Sequence, residues 1–232
     1  MIPTSAGFAI AFAGTILAAA QASAYEVPGY EPDYWNEDEC VMSMNNCYNY
    51  AMNKATHTFA QPGIAYECSL APDKCRPAPD ECDLSYKSND RPLQPREGSL
   101  TDPFEICDYV AWYAVMDGSI APVSLTNEAD DPGECGGGPG YTKVALVVRR
   151  AFENVDSDYH WFRRDNDGTW SHKPAWTPAT NLDDCGKAIT NPEELITEPE
   201  KDCKRTSYDT FCGYYCTAST STEQGTGTMV IN

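Results

Sequence analysis

The chain has 232 residues with 16 basic and 35 acidic side chains, so 16 minus 35 gives a formal charge of −19. A body this acidic is repelled by phosphate backbones and anionic lipid surfaces, which argues against nucleic-acid and membrane partners. Cationic peptides, divalent ions and mineral surfaces are left as partners of compatible charge.

Residues 1–24 have the pattern of a secretory signal. An apolar segment runs from Phe8 to Ala20, and Ala22-Ser23-Ala24 follows as a small-x-small cleavage site, without any Lys or Arg before it. The segment is too short, and too interrupted by Gly14 and Thr15, to span a membrane. The expected mature chain of about 208 residues is long enough for one domain with its own core, placed at 25–216, with a mobile Ser/Thr/Gly-rich tail at 217–232. All eleven cysteines lie beyond the cleavage site. In an exported, secreted protein (extracellular or periplasmic) they read as disulfides, and an odd number leaves one thiol over. Cys203, Cys212 and Cys216 lack the paired spacings of a zinc ribbon, so no metal or cofactor is expected.

Residues 25–39 are acidic, with two prolines and four aromatics, and read as an extended arm lying on the domain. Asn45 or Asn46 then offers an N-cap to a helix carrying Cys47, Tyr50, Ala51, Lys54 and Ala55 at helical spacing. Cys47 falls in its first turn, where unpaired N–H groups and the positive dipole end favour a thiolate and can hold an oxyanion. A disulfide partner among the other ten cysteines is the competing fate of Cys47. His57, near the end of that helix, is a spare candidate for proton transfer or an ordinary surface histidine. Residues 57–103 are proline-rich, with Cys68, Cys75 and Cys82 at seven-residue intervals, and read as loop held by bridges.

A second helix starts at Asp102, with Pro103 in its first position and Glu105 completing a capping box, and Gly118 closes it. Its apolar face is Cys107, Val110, Ala111, Ala114 and Val115, which makes Cys107 half of a core disulfide. The glycine run 136–140 lacks the following GK[ST] of a phosphate loop and reads as a flexible wall.

Residues 141–176 read as three strands. Val144–Val148 is the unbroken apolar run of a strand buried on both faces. Tyr159–Arg164 and Thr169–Lys173 flank Asn166-Asp167-Gly168, a three-residue loop with glycine where a hairpin needs positive φ. With the neighbouring Asp165 the loop has the opening pattern of a calcium site, but the distal glutamate is missing, so turn chemistry explains it. If Asp165 and Thr169 close the loop, Phe162 faces His172, and His160 shares that face, about 7–8 Å from His172 at Cα. A two-residue loop at Asn166-Asp167 would put the two histidines on opposite faces. They are two of only three histidines in the chain. Residues 174–202 read as polar loop.

A cysteine opening a helix, followed by a strand histidine and a second polar residue on the next strand, resembles the papain-like superfamily of thiol hydrolases. The NlpC/P60 type, which pairs its strand histidine with a second histidine across a short hairpin, is most similar. The likeness covers roughly residues 44–176, and departs from the family where Asn46-Cys47-Tyr48-Asn49 replaces its usual Asp-Cys-Ser-Gly. It implies an α+β, papain-like single domain with the nucleophile helix on a small antiparallel sheet. It further implies that Cys47 attacks an amide, His160 takes its proton and His172 orients His160. The substrate would be a peptide or a peptidoglycan-type crosslink, and the protein a monomer. The other reading is a non-catalytic, acidic, disulfide-rich binding or extracellular-matrix protein.

Overall fold

The computed structural model describes residues 27–77, 82, 84, 102–120, 135, 141–151, 155–197, 202–217 and 227–229. The expected signal segment and the glycine run 136–140 lie outside them. No helix among the described residues is long and apolar enough to cross a membrane.

The fold is α+β. Its centre is a four-stranded antiparallel sheet of β2 (Lys143–Arg149), β3 (Asp158–Arg164), β4 (Trp170–His172) and β5 (Thr210–Cys216), in the order β4-β3-β2-β5. The apolar run of β2 is buried on both faces, as its pattern requires. Val144, Leu146 and Val148 enter one core with Tyr159 and Trp161, whereas Ala145 and Val147 enter another with Phe162 and Trp170.

The hairpin has the expected three-residue loop. Asp165 donates its N–H to Thr169 O at 2.8 Å, Gly168 sits at φ 86°, and Phe162 pairs with His172. Gly168 has the left-handed backbone that a side chain resists. The fourth strand is an addition to the three expected from sequence. β5 lies in the cysteine-rich stretch 203–216 and pairs with β2 through a register shift at Leu146/Val147.

Helix α5 (Pro103–Met116) is capped by Asp102, whose carboxylate accepts the Phe104 N–H at 2.9 Å. It buries Ile106, Cys107, Val110, Ala111 and Ala114 on the helix-side core. The Cys107–Cys212 bridge ties it to β5, so Cys107 is the core half-cystine its position predicts. Three more bridges join Cys40 to Cys82, Cys135 to Cys216 and Cys185 to Cys203, and Cys68 is also disulfide-bonded.

The expected arm, 25–39, is not extended throughout: it turns into α1 (Pro32–Asn36), whose Trp35 is fully buried against Tyr50, and at its last residue α2 (Glu39–Ser43) begins, capped by Asp38 through the Cys40 and Val41 amides. Helix α3 (Cys47–Ala51) stops well short of Ala55, as the chain turns through Met52 into Asn53 at φ 52°. Residues 57–103 contain a further helix, α4 (Ile64–Leu70), and a strand, β1 (Cys75–Pro77). β1 pairs with β6 (Gly227–Met229), so these three residues of the expected mobile tail belong to a two-stranded ladder. Residues 174–197 are mostly loop, as expected, but include the short helix α6 (Glu194–Thr197).

Candidate functional site

Asn46 caps α3 through the amides of Tyr48 and Asn49, while Asn49 Oδ1 accepts the Asn46 N–H, a reciprocal capping box. Cys47 is therefore held in the first turn of a helix, and it is the free cysteine among the described residues. Its surroundings, however, are those of a core residue. Burial raises its pKa to about 12, outweighing the amides of Trp161 and Tyr48 and the charge of Lys173, all of which pull it down. The thiol is thus protonated at neutral pH, and the few amides of a five-residue helix do not compensate for lost hydration. Trp161 N–H is available because β4 ends at His172. Asp165–Thr169 is a hydrogen-bonded pair, so Trp161 would next bond Lys173, where the strand no longer continues.

Lys173 is occupied elsewhere. Its buried ammonium donates to the carbonyls of Met42, Asn45 at 2.6 Å and Ala175 at 2.8 Å, tying the α2–α3 corner to the hairpin. His57, the spare candidate, takes part in the same corner. Asn45 Oδ1 accepts the His57 N–H at 3.0 Å, and Asn45 Nδ2 lies 3.3 Å from its Nδ1.

The two strand histidines do meet. His160 Nε2 lies 2.8 Å from His172 Nδ1, and His172 Nε2 lies 3.0 Å from Leu182 O. A carbonyl can only accept, so His172 carries its proton on Nε2 and presents a bare Nδ1. His160 must then donate through Nε2, which leaves His160 Nδ1 as a lone pair. Burial, then its neighbour His172, holds His160 well below its ordinary pKa. Burial brings His172 down to about 4 despite the Leu182 carbonyl and Asp183. The pair is neutral, with the Tyr208 ring stacked on His160 and Phe162 on His172.

Strand alternation decides how these groups relate to Cys47. Trp161 and Arg163 face α3, where Trp161 meets Tyr48 and Arg163 meets Tyr50. His160 and Phe162 therefore leave β3 on the other face. The structure brings His160 and His172 together and places Cys47 in the helix-side core; among the described residues the thiol makes no hydrogen bond to either imidazole.

What the histidines do border is a cleft of about 100 Å³, whose walls include His160, Phe162, His172, Asp183, Arg205 and Tyr208. Burial alone would raise the Asp183 carboxyl. Arg205 Nε at 2.7 Å and the amides of Lys187 and Cys185, each at 2.9 Å, bring it below its ordinary value instead. The Cys185–Cys203 bridge clips the two loops that carry Asp183 and Arg205. Reading residues 174–202 as plain loop misses this wall. Its signal is the symmetry about that bridge, with Asp183 two residues before one cysteine and Arg205 two after the other.

No family model matches the sequence, and no solved structure matches it, so the papain-like resemblance rests on its motifs alone. The chain is 33% identical over 175 residues to insoluble matrix shell protein 1 of Ruditapes philippinarum, which covers 75% of this chain and 84% of the relative. The chain belongs to the insoluble matrix shell protein 1 family. In this family member the thiol is protonated in the core and the histidine pair is neutral.

Proposed function

We propose that this protein is a secreted, non-catalytic component of an extracellular shell matrix, in which the disulfide-stapled, acidic domain itself is the functional object. The observation that carries this reading is the relationship to a matrix shell protein across three quarters of the chain. The bridges support it, since they suit an oxidising compartment and a body that must persist outside the cell. The charge of −19 supports it as well, being compatible with divalent ions and mineral surfaces. Thiol hydrolysis would need a thiolate beside an imidazole, whereas Cys47 is protonated and its hydrogen-bonding neighbours are backbone amides.

Two measurements test the reading. Peptides of this protein should be recovered by mass spectrometry from the insoluble residue of demineralised shell. Cys47 in the native protein should resist iodoacetamide at about pH 6–8 and react only on unfolding. Recovery from soft tissue alone would remove the matrix assignment. Rapid alkylation of Cys47 below about pH 7, abolished by His160→Ala, would restore the thiol-hydrolase reading.

A further inference from the structure

The cleft beside the histidine pair has polar valences that the fold does not use. Arg205 engages Asp183 through Nε, its side chain is only 10% exposed, and neither of its Nη atoms has a hydrogen-bond partner among the described residues. His160 is 3% exposed and spends Nε2 on His172, and its bare Nδ1 is likewise without a partner there. Both side chains line the cleft while being almost wholly buried, so their unused donors and acceptor are accessible only from it and point to a ligand that completes them.

The charges select the kind of ligand. The guanidinium is already matched by Asp183 at 2.7 Å, the imidazoles are neutral, and Asp184 adds a carboxylate at the rim, so an anion finds no net attraction. A cation would meet the Nη hydrogens of Arg205. An uncharged group with one acceptor and one donor suits both: a carbonyl oxygen toward Arg205 Nη and an N–H toward His160 Nδ1. That combination is an amide. The space of about 100 Å³ admits such a group with a methyl against Ile189, Leu195 and Pro174, while whatever carries it stays outside. At the mouth, exposed Asp184 and Ser207 offer a carboxylate and a hydroxyl suited to ring hydroxyls beside the amide, which a carboxamide side chain of a peptide would leave to water.

We propose that the cleft between the histidine pair and the Cys185–Cys203 loops is a binding site for an acetamido-bearing, uncharged saccharide unit. The acetamido group enters between Arg205 and His160, and the sugar ring rests on the rim at Asp184 and Ser207. The inference is independent of whether the protein is laid down in a matrix, because it concerns the isolated protein and a soluble sugar.

The test uses the mature, disulfide-intact protein labelled with ¹⁵N and titrated with an N-acetylglucosamine trimer, a glucose trimer and a glutamine-bearing peptide in parallel. The His160 Nδ1 resonance, that of a bare imidazole nitrogen, should move upfield with the N-acetylated trimer and stay put with the glucose trimer. Asp184→Asn, a change at the exposed rim, should weaken the N-acetylated trimer about threefold with unchanged thermal stability. Arg205→Lys should weaken it about tenfold, since an ammonium cannot serve Asp183 and the ligand as a fork does. If that variant loosens the loop, the rim variant still decides. An unmoved Nδ1 resonance at saturating trimer, or an equal response to the glucose trimer, overturns the proposal. A response to the glutamine peptide alone replaces the saccharide with a protein partner.

Discussion

Two polar residues of β3, Arg163 and His160, head buried polar systems on opposite faces of the sheet, and the systems differ in how completely they are satisfied. Arg163, fully buried, meets Asp165 at 3.1 Å, Gly29 O at 2.7 Å, Asn53 Oδ1 at 2.9 Å, and both the carbonyl and the hydroxyl of Tyr50. Asp165 also accepts from Ser171, which bonds Tyr50 OH in turn. This network joins the N-terminal arm, the end of α3 and the hairpin turn, and every nitrogen of the guanidinium is engaged. On the other face, the pair headed by His160 leaves a ring nitrogen and a guanidinium end without partners among the described residues. A closed network specifies a fold, whereas an open one of similar burial is suited to receive something.

The closed network is most vulnerable at Arg163. Arg163→Met should cost about 3–5 kcal/mol, because it strands the Asp165 carboxylate in the interior; urea denaturation checks this. A loss below about 1 kcal/mol would mean that the network contributes little to the fold.

The histidine face predicts a pH dependence of definite sign. His172 is held near pKa 4 against an unfolded value of about 6.5, so acid protonates the unfolded chain first. The stability contributed by the neutral pair is complete above about pH 6.5 and falls between there and about pH 4, at up to about 1.4 kcal/mol per pH unit for this group. Denaturation midpoints measured across that range, in wild type and His172→Gln, should diverge at high pH and converge in acid.

The smallest effect concerns the turn shared by both systems. Gly168→Val should destabilise by about 1 kcal/mol or more, since a β-branched residue resists φ 86°. A neutral result, again by urea denaturation, would show that the loop relaxes without disturbing the Phe162–His172 register.

The hairpin is legible in the sequence because its information is local: a glycine-bearing loop of three residues sets every pairing that follows. α5 is legible for the same reason, with Asp102, Pro103 and Gly118 marking its ends. The arm is not, because α1 and α2 have five residues each, too few for periodicity, and depend on burying Trp35. β5 escapes a pattern search because Gly213, at φ 135° beside a register shift, interrupts the alternation of TFCGYYC. The relation of Cys47 to the histidine pair is non-local. Sequence places His160 and His172 on a common face, but only the packing of Tyr48 and Tyr50 reveals that α3 occupies the other one.

The position of β5 has a consequence for how the molecule is made. Its cysteines pair with Cys107 and Cys135, at separations of 105 and 81 residues, and its backbone completes the sheet beside β2. Neither bridge can close correctly until residues 210–216 have left the ribosome, and ordering must await long-range encounters, which are slow. Throughout that interval the chain carries reactive thiols, including Cys47, which is free in the folded protein. In the folded protein the packing of α3 on β3 buries that sulfur, which keeps it from exchanging with the correct bridges.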